Sequence, residues 1–290
     1  MTSLQEWKSI LRIQKFVAES GVCSRRAAEE MVREGRITVN GKPAQIGMDV
    51  DPLTDSVYCD GKRIRPRAAE KRYFIFYKPR GVITAMKAQD DRSVVADLIK
   101  GIKGRVYPVG RLDRDSEGLL ILTDDGDLAQ RLTHPSHAVP KTYRVTVRGE
   151  VSLEQLERFR AGVVLDDGEK TQPAGVTVQK EGEGKTVLHV TITEGKNREI
   201  RRICEVLGLE VMLLKRISEG AVSIGHLEPG EYRPMSEKEK EALLNSVGIP
   251  YVRKVKKSSA QKSATAAAYR NRRQRGISEH ERRFKKQFLK

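Results

Sequence analysis

The chain has 290 residues, 38% of them hydrophobic, enough for one large domain or two smaller ones with real cores. Lys and Arg number 55 against 39 Asp and Glu, a formal charge of +16, which favours an anionic partner such as nucleic acid or an acidic membrane surface. No apolar run is long enough for a membrane span, and the N-terminal MTSLQEWKSILRIQKF lacks the apolar stretch and cleavage site of a secretory signal, so a cytoplasmic protein is expected. Cys23, Cys59 and Cys204 are far apart and form no C-x-x-C, and no histidines repeat at metal-ligand spacing, so neither a disulfide framework nor a metal site is expected. The charge is uneven. Residues 251–290 carry 14 Lys/Arg against 2 Asp/Glu, residues 11–72 carry 13 against 9, and residues 73–250 are close to neutral. That is a folded middle between two basic ends.

Residues 11–72 read as a compact unit. Ile13, Phe16 and Val17 have helical spacing, and Gly21 ends that helix. Ser24 is a good N-cap for a second helix from about Arg25 to Glu34, with Ala27, Ala28, Met31 and Val32 as its buried stripe. Ile37-Thr38-Val39 is a short strand, Asn40-Gly41 signals a tight hairpin, and Val57-Tyr58 begins another strand turned by Asp60-Gly61. Arg25 and Arg26 stand in the first helical turn, where cations oppose the helix dipole. Two readings are open for them: a solvated polar face, or a phosphate seat at free N–H groups. Arg33, Arg36 and Lys42 nearby tip the balance toward RNA contact.

Residues 73–250 suggest a strand-rich α+β arrangement. Tyr73–Tyr77 is a strand, and Leu119–Leu122 is a continuous apolar run of the kind buried on both faces. Asp125-Gly126 turns into a helix reaching about Leu132. Tyr143–Val147 and Val187–Thr193 alternate as strands, and Gly182–Gly184 is a hairpin turn. Leu153, Leu156 and Phe159 suggest a helix, as do Ile200, Ile203, Cys204 and Leu207, the latter stopped by Gly208. The order is not a regular βαβα repeat, so a doubly wound sheet is not expected. Residues 251–290 read as a basic tail adding salt-sensitive affinity for RNA.

Two segments could carry chemistry. Gly110-Arg111-Leu112-Asp113-Arg114-Asp115-Ser116-Glu117-Gly118 is a polar loop entering a buried strand, which would hold a carboxylate rigidly; a salt-bridged surface turn is the competing reading. Gly195-Lys196-Asn197-Arg198 opens a helix whose Arg198, Arg201 and Arg202 share one face. An arginine there could pair with Asp113, or the face could simply be solvated. Gly184-Lys185-Thr186 echoes a phosphate-binding loop but lacks its earlier glycine and its following helix, and no G-x-G-x-x-G follows a strand.

These segments resemble a known family. GRLDRDSEGLLILTDDGDLAQRL is similar to the catalytic motif of one family of bacterial ribosomal RNA pseudouridine synthases. That family groups the A-type enzymes of the small ribosomal subunit with the B, E and F types of the large one. Tyr77-Lys78-Pro79 with Gly81, Lys141-Thr142-Tyr143, Gly195 through Arg202, and Pro229-Gly230-Glu231-Tyr232-Arg233 agree in order and spacing. Within the family the likeness runs closest to the B type. Residues 11–72 resemble an S4 RNA-binding domain through Lys15-Phe16, Ser24-Arg25-Arg26, Glu34 to Arg36 and Val39-Asn40-Gly41-Lys42.

The resemblance implies a small S4 (alpha-L) domain over 11–72, a mixed, mainly antiparallel catalytic domain over 73–245, and a tail outside the family pattern. It implies Asp113 as the catalytic carboxylate, Tyr143 as the active-site tyrosine, and Arg201 as the basic partner of the aspartate. Ile200 is the apolar contact in the same pocket, with Arg111 and Lys78 supporting it. RNA contact falls to Arg25, Arg26, Arg36, Lys42, Arg198 and Arg202. The reaction breaks the N1–C1′ bond of uridine and rejoins the base through C5, by attack at C1′, attack at C6 or a glycal route. No cofactor or metal is implied. The expected partner is ribosomal RNA or a pre-ribosomal particle, 23S before 16S before tRNA, acted on by a monomer. The readings from other classes are a non-catalytic S4-type RNA-binding protein and an S4-bearing methyltransferase; the intact Asp113, Tyr143 and Arg201 oppose the first, and the absent glycine-rich nucleotide motif the second.

Overall fold

The computed structural model describes residues 10–66, 70–88 and 90–251. All of the expected basic tail except Tyr251 lies outside these residues. The elements of the first unit are β1 (Leu11–Arg12), α1 (Ile13–Glu19), α2 (Arg25–Arg33), β2 (Ile37–Val39), β3 (Lys42–Pro43), β4 (Asp49–Val50), β5 (Val57–Cys59) and β6 (Lys62–Ile64). Ile13, Phe16 and Val17 of α1 and Ala28, Met31 and Val32 of α2 form one hydrophobic cluster with Ile37, Val39, Val50 and Val57. Ser24 caps α2 by accepting the Ala27 N–H at 3.1 Å. The two hairpins turn at Asn40-Gly41 and Asp60-Gly61, where all four residues have positive φ, as a type I′ turn requires. They leave a four-stranded sheet in the order β3-β2-β5-β6.

The rest of the chain contains β7 (Tyr73–Lys78), α3 (Val95–Leu98), β8 (Tyr107–Pro108), β9 (Glu117–Thr123), α4 (Gly126–Thr133), β10 (Lys141–Arg148) and α5 (Leu153–Ala161). It continues with β11 (Gly175–Gly182), β12 (Lys185–Ile192), α6 (Glu199–Val206), β13 (Val211–Glu219), β14 (Val222–Ser223), β15 (Tyr232–Pro234) and α7 (Glu237–Ser246). A nine-stranded sheet runs β11-β12-β10-β13-β9-β7-β15, with β14 on β13 and β8 on β9. Among the described strands of this sheet, only β13 and β9 pair in parallel. The fold is thus α+β, with a mixed and mainly antiparallel sheet.

The strand β9 explains its own apolar run. Leu119 and Ile121 join the cluster of α4 and α7 on one face, with Leu128, Leu132, Leu243 and Leu244. Leu120 and Leu122 point the other way, into a cluster with Phe76, Val95, Ile99 and Val106. A third cluster, of α5, α6, β10 and β12, fills the other half of the sheet. The two halves meet where β9 and β13 touch over two residue pairs, Glu117 with Lys215 and Gly118 with Arg216. Gly118 has φ +107°, and a Cβ there would overlap the Arg216 backbone. Replacing Gly118 with Ala is therefore expected to destabilise the fold by on the order of 1–3 kcal/mol. Urea unfolding of the variant checks this; an unchanged midpoint would show that the strands have room to separate.

Candidate active site

Asp113 sits in the loop leading into β9, and that loop is pinned on both sides. The Gly81 N–H donates to the Arg114 carbonyl at 2.7 Å. The Thr84 hydroxyl donates to the Leu112 carbonyl at 2.7 Å and accepts the Leu112 N–H at 3.2 Å. Leu112 is buried, in the same hydrophobic cluster as Tyr143 and Ile200, so the residue before the carboxylate anchors in the pocket that holds those two side chains. Asp113 itself remains 33% exposed at its side chain, open to a ligand.

Three cations stand around this loop. Lys78, at the end of β7, is fully buried; its ammonium donates to the Ser116 carbonyl at 2.8 Å and the Pro79 carbonyl at 3.0 Å. Burial lowers its pKa to about 8, against the opposing pull of Asp113, Asp115 and Glu117. Arg198 brings Nη1 to 4.0 Å from Asp113 Oδ2. Arg201, one turn into α6, donates Nη2 to the Asp115 carbonyl at 3.0 Å, and its buried Nε has no hydrogen-bond partner among the described residues. Burial and the neighbouring Arg198 lower the Arg201 pKa, while Asp113 and Asp115 oppose that. The guanidinium nearest the aspartate is thus Arg198 at the mouth of α6, with Arg201 gripping the same loop through its backbone.

Tyr143 on β10 is buried beside Ile200, and burial pushes its phenol up. It stands opposite Arg216 in the β10–β13 ladder, and the Arg216 charge opposes that rise. Arg216 is a residue that sequence reasoning missed. It is almost wholly buried on β13, donates Nε to the Leu119 carbonyl at 2.8 Å and lies 3.2 Å from Glu219. It thereby ties β9, β10 and β13 together beneath the site. An arginine inside the apolar run Val211–Leu214 and Ile217 was the available signal, since such a residue is rarely left unpaired in a strand.

The other expected site residues are spread more widely. Arg111 is exposed on the aspartate loop. Arg202 gives its donors to Asp166 and Asp167, which fastens α6 to the loop after α5. Arg36 is held by Asp60, at 2.8 and 2.7 Å, and by Glu34. Arg25, Arg26 and Lys42 are exposed on the first unit. Arg25 lines a cleft of about 970 Å³ with Lys71, Arg72, Lys103 and Arg105. That cleft reaches Asp124, just past the far end of β9 from Asp113, so it is basic surface away from the carboxylate. Among the described residues, no group of three His, Cys, Asp or Glu side chains is placed to hold a metal ion, and no helix is long and apolar enough to cross a membrane.

A fold of this kind, with a carboxylate loop ringed by cations beside a buried tyrosine, suits chemistry on an anionic polymer. Comparison with known proteins is specific. The RNA pseudouridylate synthase family matches residues 72–206, and the S4 domain matches residues 11–52. An RNA pseudouridine synthase of Aquifex aeolicus is 41% identical over 244 residues, 83% of this chain and 97% of that protein. The ribosomal large subunit pseudouridine synthase B of Bacillus subtilis is 40% identical over 235 residues, 80% of this chain and 95% of that protein. A crystal structure of a pseudouridylate synthase aligns with a TM-score of 0.58 at 30% identity, covering 80% of this chain and 99% of its own. The chain belongs to the RNA pseudouridine synthase family and carries an S4 domain at its N-terminal end. It is an isomerase acting on RNA.

The depressed Lys78 has a measurable consequence. Its folded pKa of about 8 lies below its ordinary 10.5, so between those values the unfolded chain binds more protons than the folded one. Stability contributed at this position therefore rises with pH through that window. Urea unfolding of wild type and Lys78→Met at pH 7.5 and pH 10 is expected to show wild type gaining on the variant as pH rises. Parallel curves would mean that Lys78 keeps an ordinary pKa.

Proposed function

We propose that this enzyme isomerises a specific uridine of ribosomal RNA, 23S in the first instance, with Asp113 as the catalytic carboxylate and without a cofactor. The observation that carries the reading is the Asp113 side chain itself, part-exposed on a doubly pinned loop with Lys78, Arg198 and Arg201 around it. The ribosomal target is supported by the likeness to a protein named for the large ribosomal subunit.

The chemistry makes limited demands. The N1–C1′ bond breaks, C1′ bonds to C5, the C5 hydrogen leaves as a proton and N1 takes one up. The product is an isomer, so no redox or group carrier is consumed. A carboxylate can serve as nucleophile or as counter-charge to the sugar. Tyr143 and Ile200 offer an apolar wall for the uracil, and the Tyr143 phenol is the group proposed to assist removal of the C5 proton. Arg201 and Lys78 hold the loop backbone on which Asp113 rides, and Arg111 supports it from the exposed side. The target base leaves its stack at a cost of about a few kcal/mol, which contacts elsewhere on the RNA must supply. Arg25, Arg26, Lys42 and Arg198, all exposed, are proposed for that work, while Arg36 and Arg202 contribute only if RNA phosphate displaces their carboxylate partners. Domain boundaries near residues 72 and 245, and a cytoplasmic monomer as the working form, belong to the same proposal.

The test is a purified-enzyme assay on 23S transcripts labelled with tritium at uridine C5, since that hydrogen is released when C5 bonds to the sugar. Wild type is expected to release label, and Asp113→Asn to release none while binding RNA within a few fold of wild type. Turnover by Asp113→Asn would remove the aspartate from its role, and release only from 16S transcripts would overturn the choice of 23S RNA.

A further inference from the structure

The segment that presents Arg198 to Asp113 is built on two acids. Arg198 has φ +51° and ψ +28°, a left-handed conformation that costs a non-glycine residue about 1–2 kcal/mol. The turn containing it is closed from both ends. The Glu199 N–H donates to the Lys196 carbonyl at 3.3 Å, and the Lys196 N–H donates to Glu199 Oε2 at 2.9 Å. The Glu199 side chain is buried at the start of α6, and burial together with the neighbouring Glu194 carboxyl favours a proton held between the two acids. Glu194 in turn accepts the Gln172 N–H at 2.7 Å. Lys196 donates to the Lys170 carbonyl at 2.9 Å and lies 3.1 Å from Glu169 and 3.7 Å from Glu194. The turn is thus clamped to the chain on either side of it.

We propose that Glu199 is a positioning residue of the active site: by accepting the Lys196 amide N–H at the start of α6, it holds the left-handed turn that keeps the Arg198 guanidinium at Asp113. The inference rests on the catalytic reading of Asp113 for its effect on turnover. The charged and titratable groups facing Glu199 are Glu194 and Lys196 on its own segment and Lys141 and Tyr143 on β10. Burial lowers the Lys141 pKa, against the pull of Glu219 and Glu199, and raises that of Tyr143. Burial and the Glu194 neighbour raise the Glu199 carboxyl to about 8. The shared proton is present below that pH and lost above it. Two adjacent anions then repel, and the turn opens.

Glu199→Gln separates this from a merely structural role. The amide accepts the Lys196 N–H and donates to Glu194 without any titratable proton, so it should rescue the loss expected of Glu199→Ala. Turnover of wild type relative to Glu199→Gln should fall about tenfold between pH 7 and pH 9, as the protonated fraction of a group titrating near 8 declines. Ionisation of the uracil itself is common to both proteins and cancels in the ratio. The Lys196 amide resonance, followed by NMR in the absence of RNA, should titrate in wild type with a midpoint near 8 and stay fixed in Glu199→Gln. A fixed Lys196 resonance in wild type, or a ratio independent of pH, would overturn the inference. An inactive wild type with a titrating resonance would count against the catalytic reading and leave the proton-sharing clamp supported.

Discussion

Gly118 lies against the backbone of Arg216, and at that point β9 and β13 run parallel over only two residue pairs. Every other described pairing in the large sheet is antiparallel, and among the described strands this short contact is the pairing that joins the half built around β7 and β9 to the half built around β10, β12 and β13. A side chain at position 118 would keep the strands apart. Once they are close, Arg216 reaches across to the Leu119 carbonyl from its place opposite Tyr143. This buried charge is balanced by Glu219, 3.2 Å away, and its Nε is satisfied by the Leu119 carbonyl, while Nη2 makes no hydrogen bond among the described residues.

The proposed active site follows from that seam. The loop entering β9 must end where the two halves meet, so Asp113 arrives from one half while Arg198, Arg201, Ile200 and Tyr143 arrive from the other. Lys78 comes from β7, the neighbour of β9, and its ammonium satisfies two carbonyls that the turn would otherwise bury unpaired. Preorganisation of this sort places charge and hydrogen-bond donors before substrate arrives, which is what an RNA base drawn from its stack requires. The first unit contributes separately, with Arg25, Arg26 and Lys42 exposed on a small fold that has its own core.

Much of this was legible in sequence, for reasons that can be named. The apolar run of β9, the Ser24 cap, the Asn40-Gly41 turn and the Glu183-Gly184 hairpin are local signals, and each appears where local physics puts it. Less legible were β11, whose outer face is largely exposed and so weakly patterned, and α7, announced only by the Ser236–Glu239 capping box. Asp113, Lys78 and Arg201 are proposed as site residues through resemblance, which carries no geometry. A repeat of three- and four-residue spacings shows that Arg198, Arg201 and Arg202 share a helix face; it does not show that Arg202 is spent on Asp166 and Asp167 or that Arg198 stands nearest the aspartate. Arg216 escaped notice because the carbonyl it reaches lies on β9, and Glu199 because its role depends on a turn closed by its own side chain, neither of which sequence spacing encodes.

The most direct test of the central claim is pseudouridine mapping of all ribosomal RNA in cells lacking this gene, complemented with wild type or with Asp113→Asn. One 23S position should lose its modification and regain it with wild type alone. Full modification in the deletion strain, or restoration by Asp113→Asn, would contradict the assignment of Asp113 as the catalytic group of a ribosomal RNA pseudouridine synthase.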